Sequence, residues 1–152
     1  MLEQKILNQF KNSFSSQTIT DNRGIGIECE IPIVSQKGEA ISLSVIQDLF
    51  EHLGRTGFEV EKDGYSGLLT AAKRINQNGS KEFAYRTDTI TTDAGYSILE
   101  IVLAPQVSLH TIQSDLNDLL SLLIAFFDGQ DCLMLGYGIQ PSSPPSRQLL
   151  FP

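Results

Sequence analysis

No apolar run in this sequence approaches the ~18 residues that a membrane-crossing helix needs. Basic residues are scarce, 11 Lys and Arg against 18 Asp and Glu, for a formal net charge of −7. A surface of that sign neutralises no phosphates and is repelled by anionic lipid, which excludes general nucleic-acid binding and membrane-surface binding. Cysteine is nearly missing too. Cys29 and Cys132 stand far apart and form no framework, so reduced thiols in a cytoplasmic protein are the expectation. The opening MLEQKILNQFKNSF is amphipathic and lacks the continuous apolar core and small-residue cleavage site of a secretion signal. There is no Gly-x-x-x-x-Gly-Lys phosphate loop, and Gly24-Ile25-Gly26 is not followed by the helix of a dinucleotide site. No internal repeat is present. His52 and His110 fall late and early in helical patterns with no nucleophile or ligand at a matching spacing, so both read as surface or cap residues.

What is present is an ordinary globular composition, 41% hydrophobic and 19% charged over 152 residues, enough for one domain with a real core. Leu2, Ile6, Leu7, Phe10 and Phe14 recur at helical spacing and predict a first helix over 2–14. A polar loop follows to Asn22, then the alternating run GIGIECEIPIV over 24–34. Ser44 with Gln47 reads as a capping box opening a helix with Val45, Ile46, Leu49, Phe50 and Leu53 on one face, ended by Gly54. FEVEKD reads as a short strand. Strand-like runs over 68–75 and 82–90 flank an Asn-Gly turn and predict a hairpin. Asn78-Gly79-Ser80 also fits a glycosylation sequon, read here as simply a turn.

SILEIVL over 97–103 is a further strand, expected to stop at Ala104-Pro105. A long helix over 108–128 carries Ile112, Leu116, Leu119, Leu120, Leu123 and Phe127 on its apolar face, with Ser108 as cap and Gly129 as stop. CLMLGYGIQ over 132–140 is the last strand. The segment 142–152, PSSPPSRQLLFP with its leading proline at 141, is expected to be a cut end or a docking tail. Hairpin-linked strands with long helices between them predict an α+β fold with a mainly antiparallel sheet and helices on one face. The other face is then free to hold a site.

The candidate site lies on that free face. In 24–34, Ile25, Ile27, Cys29, Ile31 and Ile33 point one way and Glu28 and Glu30 the other. The two carboxylates stand on one side with Cα atoms ~6.5–7 Å apart. A divalent cation between them would relieve their repulsion, and Mg²⁺ takes such oxygen ligands together with substrate phosphates. A solvated sheet face carries the same pattern. Glu100, set among apolar neighbours in SILEIVL, needs a partner, either a metal or one of Lys73, Arg74 and Arg86. Asp93 just before that strand is a further candidate for metal or substrate, or a turn residue. Cys29 points to the packed side and reads as a buried inert thiol.

Three blocks in order resemble the glutamate–cysteine ligase family of the second, plant and bacterial type, with its related carboxylate–amine ligases. GIGIECEIPI resembles the family's G-x-E-x-E strand; ITTDAGYSILEIVLAP resembles its second acidic block; and the leucine-rich helix leading to LGYGIQP is similar to its helix and G-x-G-x-x-P strand. Together they cover 24–141. The acidic turn departs from the pattern, with Asp93, Tyr96 and Ser97 where the plant type has Glu and a Gly-Gly pair. The resemblance implies a glutamine synthetase-like fold and an ATP-dependent ligase. Such an enzyme phosphorylates the γ-carboxylate of glutamate, and the cysteine amine attacks the acyl phosphate, a step of glutathione biosynthesis. It implies Mg²⁺ and ATP as cofactors and Glu28, Glu30 and Glu100 as metal ligands. Family chains are far longer, so residues 1–152 are expected to be one domain, the N-terminal part of such an enzyme, inactive without the remainder of the parent chain.

Overall fold

A computed structural model describes residues 2–15, 24–79, 81, 83, 85–93 and 95–138. Helix α1 spans Leu2–Ser15, followed by β1 (Ile25–Ser35), α2 (Leu43–Arg55), β2 (Glu59–Lys62), β3 (Leu69–Ile75), β4 (Thr87–Thr92), β5 (Ile98–Gln106), α3 (Leu109–Asp128) and β6 (Cys132–Met134). The strands form one six-stranded sheet in the order β2-β3-β4-β5-β1-β6, and every pairing is antiparallel. The fold is thus α+β with a mainly antiparallel sheet. The loop expected to end at Asn22 and the segment 142–152 lie outside the described residues.

The core forms between one sheet face and two helices. Helix α2 packs on β2 and β3, and α3 on β5 and β6. Ile46, Leu49, Phe50 and Leu53 of α2 and Leu119 and Leu123 of α3 have no solvent exposure. They meet Ile31 and Ile33 of β1, Ala72 of β3, Ile90 of β4 and Leu99, Ile101 and Leu103 of β5. Removing this apolar area from water is the main force holding the layers together. Residues 3–9 of α1 are exposed, including Ile6 and Leu7.

Several local expectations change. Ser44 and Gln47 form no capping box. Ser42 is the N-cap of α2 and makes no side-chain cap bond, while its hydroxyl meets that of Ser44 at 2.8 Å. Gln47 instead clamps the start of β3: its Nε2 donates to the Leu69 carbonyl at 2.9 Å, and its Oε1 accepts from the Leu69 N–H at 2.8 Å. Gly54 does not end α2, which continues to Arg55, and the backward turn is made by Gly57 at φ +102°. β4 begins at Thr87, later than expected: Tyr85 and Arg86 precede the strand, and residues 82 and 84 of the expected run lie outside the described residues. β6 is shorter than expected.

Ala104-Pro105 does not stop β5. The register with β1 slips there, since Ile27 pairs with Leu103 but Ile25 pairs with Gln106. The extra residue makes a bulge, where a proline without an N–H is tolerated. The Ala104 N–H donates to the side-chain carboxylate of Asp88 on β4 at 3.0 Å. The bulge also turns Gln106 toward α3, away from the side shared by Glu100 and Val102.

Candidate functional site

The sheet face opposite α2 and α3 carries the acidic residues. The pleat sends alternate residues to opposite faces, and the core takes Ile27, Cys29, Ile31 and Ile33 of β1 and Leu99, Ile101 and Leu103 of β5. Glu28, Glu30, Glu100 and Val102 are therefore left on the other side. Register then decides who meets whom. Glu30 stands directly opposite Glu100, and Glu28 opposite Val102. Thr91 of β4 is the other cross-strand neighbour of Glu100, and Thr89 that of Val102. One row across the sheet therefore reads Glu61, Ala71, Thr91, Glu100, Glu30, and the next Glu59, Lys73, Thr89, Val102, Glu28.

Glu28 and Glu30 are exposed and Glu100 is half-buried. Partial burial raises the Glu100 carboxyl above its usual value, and the charges of Glu28, Asp93 and Glu30 raise it further, in that order. Asp93 is exposed just outside β5, its N–H donating to the Ile98 carbonyl at 3.0 Å. Among the described residues none of the ion pairs involves Glu28, Glu30 or Glu100. Lys73 is paired with Glu61 at 2.6 Å, and Arg74 lies on the helix side, bonded to Asp88 at 3.3 Å and stacked over the Phe58 ring. Also among the described residues, no group of three His, Cys, Asp or Glu side chains is gathered closely enough to hold a metal ion. The fold thus places the three glutamates on one face, and their side chains do not converge on one point.

The connection between β3 and β4 reaches over one end of this face. The Tyr85 hydroxyl meets that of Thr89 at 3.0 Å. The Phe83 ring lies against Gly24 so closely that a Cβ there would come within 2.6 Å of the ring tip and the ring would have to shift. Gly26, Ile27, Glu28, Tyr85, Val102, Leu103 and Pro105 line a cavity of about 480 Å³ beside the Glu28 carboxylate. Cys29 points to the packed side, where burial pushes its thiol up and away from the reactive thiolate. His52 is half-buried with its ring 5.4 Å from that of Phe126, and His110 is exposed.

Sequence reasoning missed a second polar cluster, on the helix side. Asp88 and Asp115 are buried, and the Asn76 amide bridges them, donating to Asp88 at 2.9 and 3.1 Å and to Asp115 at 2.8 Å. Gln106 Nε2 and Asn78 Nδ2 also donate to Asp115, at 3.0 and 2.8 Å. The available signal was position. Asp115 lies three residues after Ile112 and four before Leu119, on the buried face of α3, and Asp88 shares the parity of Ile90.

No protein-family model, no curated protein and no solved structure matches this chain. Among the described residues no helix is long and apolar enough to cross a membrane.

Proposed function

We propose that the acidic sheet face binds a divalent cation as part of an ATP-dependent carboxylate–amine ligase of the glutamate–cysteine type. The observation that carries this reading is the placing of Glu28, Glu30 and Glu100 on one face with no cationic partner among the described residues, backed by the buried core. Oxygen-only donors of this kind suit Mg²⁺. In this reading Glu28, Glu30 and Glu100 hold the ion, with Asp93 at the rim for metal or substrate. When bound, Mg²⁺ offsets the charge that builds on ATP phosphates during transfer to the glutamate γ-carboxylate. The residues of this chain supply the floor: Val102, Thr89 and Thr91 separate the acids from Lys73, and Tyr85 walls the cavity beside Glu28.

The arrangement is glutamine synthetase-like in this reading, and the protein is cytoplasmic. In this reading the cysteine amine and the phosphates engage groups other than Glu28, Glu30 and Glu100. A non-catalytic binding module would pair Glu28 and Glu100 with Arg or Lys, and no such pair exists among the described residues.

The test is calorimetric titration of Mg²⁺ and Mn²⁺ into the chain and into Glu28→Gln and Glu100→Gln. Each variant is expected to bind about tenfold more weakly or worse, one ligand and about 1.4 kcal/mol being lost. Equal binding by all three proteins overturns the reading.

A further inference from the structure

Asn78-Gly79 is the one Asn-Gly pair in the chain, and the Asn78 side chain faces a carboxylate of Asp115. An asparagine followed by glycine is the pairing most open to attack by the next backbone nitrogen, because glycine has no side chain to obstruct it. Here both reacting groups are tied. The Asn78 carboxamide is held by its Nδ2 donating to Asp115 Oδ1 at 2.8 Å, and the Gly79 N–H donates to the Asn76 carbonyl at 3.2 Å. The Asn78 N–H is itself held by Asn76 Oδ1 at 2.8 Å. Asp115 is buried, and its contacts are amide donors from Asn76, Asn78 and Gln106. Among the described residues Arg74 pairs with Asp88 at 3.3 Å and not with Asp115.

We propose that Asn78 is a site of spontaneous deamidation, held in check by Asp115, whose conversion unlocks the connection between β3 and β4 from α3. The Gly79 nitrogen loses its proton to solvent base and attacks Asn78 Cγ. The Cγ–Nδ2 bond then breaks, and ammonia leaves with a proton taken from water. Water opens the resulting succinimide to aspartate or isoaspartate, so the net change is asparagine plus water to aspartate plus ammonia. The product carboxylate replaces a donor with an acceptor facing Asp115 Oδ1. Two carboxylates at that separation repel, and the bond that docked the connection onto α3 is gone. The isoaspartate form adds a carbon to the main chain and displaces Gly79 from the Asn76 carbonyl as well. The switch is one-way, and it is gated by local opening, because attack requires both tethers to release.

The experiment follows the mass gain of the Asn78 peptide with time in the whole chain at mildly alkaline pH, folded and in urea. The Asp115→Ala variant is run alongside, its fold checked by circular dichroism. The folded wild type is expected to react at least about tenfold more slowly than the unfolded chain, and folded Asp115→Ala to lose most of that protection. Equal rates in folded and unfolded wild type, or unchanged protection in folded Asp115→Ala, overturn the proposal. Should Asp115→Ala not fold, Asn78→Asp carries the test. It is expected to melt several degrees below wild type, and a wild-type melting temperature refutes the unlocking.

Discussion

Glu30 and Glu100 stand directly opposite each other on neighbouring antiparallel strands, two carboxylates at the closest lateral approach a sheet allows. Nothing basic among the described residues pairs with either. Like charges so placed destabilise a sheet, and the Glu100 carboxyl is raised first by its partial burial and then by the charges of Glu28, Asp93 and Glu30.

Glu100→Gln is therefore expected to stabilise the fold. Because the folded carboxyl titrates above its unfolded value, the stability linked to its proton is fully present below the unfolded value. It is lost as pH rises through the folded one. The variant should match wild type in acid and exceed it by about 0.2–1 kcal/mol near neutrality. Thermal melts of both proteins across that pH range check this, and a variant less stable than wild type at neutral pH refutes it.

Gln47 carries two hydrogen bonds to the Leu69 backbone, at 2.9 and 2.8 Å, and ties α2 to the start of β3. Gln47→Ala leaves a part-buried N–H and C=O without their partner and should lose about 1–3 kcal/mol in urea unfolding. Ser44→Ala, which breaks only an exposed hydroxyl contact, should fall within about 0.5 kcal/mol of wild type.

Two ion pairs of similar appearance should behave differently. Asp88 is inaccessible and accepts from Arg74, the Asn76 amide and the Ala104 N–H. Asp88→Ala strands the buried Ala104 N–H and takes one acceptor each from the Asn76 amide and Arg74, and should reduce stability by about 3 kcal/mol or more. The Lys73–Glu61 pair is solvent-facing, and Lys73→Met should change stability by no more than about 0.5 kcal/mol. Chemical denaturation of both variants separates the cases.

Asp63, in the connection between β2 and β3, accepts from the Ser66 N–H at 2.7 Å, the Ser66 hydroxyl at 2.8 Å and the Tyr65 N–H at 3.1 Å. These bonds, those of Ser66 first, hold its carboxyl below the usual range. The stability it contributes is present above the unfolded value and lost as pH falls through the depressed one. Carbon-detected NMR should show Asp63 titrating below an ordinary aspartate, and Ser66→Ala should return it toward normal.

Much of the architecture was legible in the sequence, because its signals are local. The 3.6-residue recurrence in α2 and α3 and the two-residue alternation in β1 depend on backbone geometry alone. They put Ile31 and Ile33 inward and Glu28 and Glu30 outward whatever the partners are. The errors share one cause. Gln47 read as a cap because the cap pattern is local, whereas its actual partner, Leu69, lies 22 residues away in sequence. Pro105 read as a stop because its missing N–H is local, whereas the bulge that tolerates it is a property of the β1–β5 register.

By itself, then, the sequence determined the element types, the apolar face of each and the pairing of Glu28 with Glu30 on one side of a strand. Only the tertiary structure decided that Glu100 stands opposite Glu30, that Gln106 turns inward, and that Asn76 bridges two buried aspartates. Periodicity sets the direction of a side chain. Register and long-range packing set its neighbours, and the charge and hydrogen-bond chemistry of both clusters depends on those neighbours.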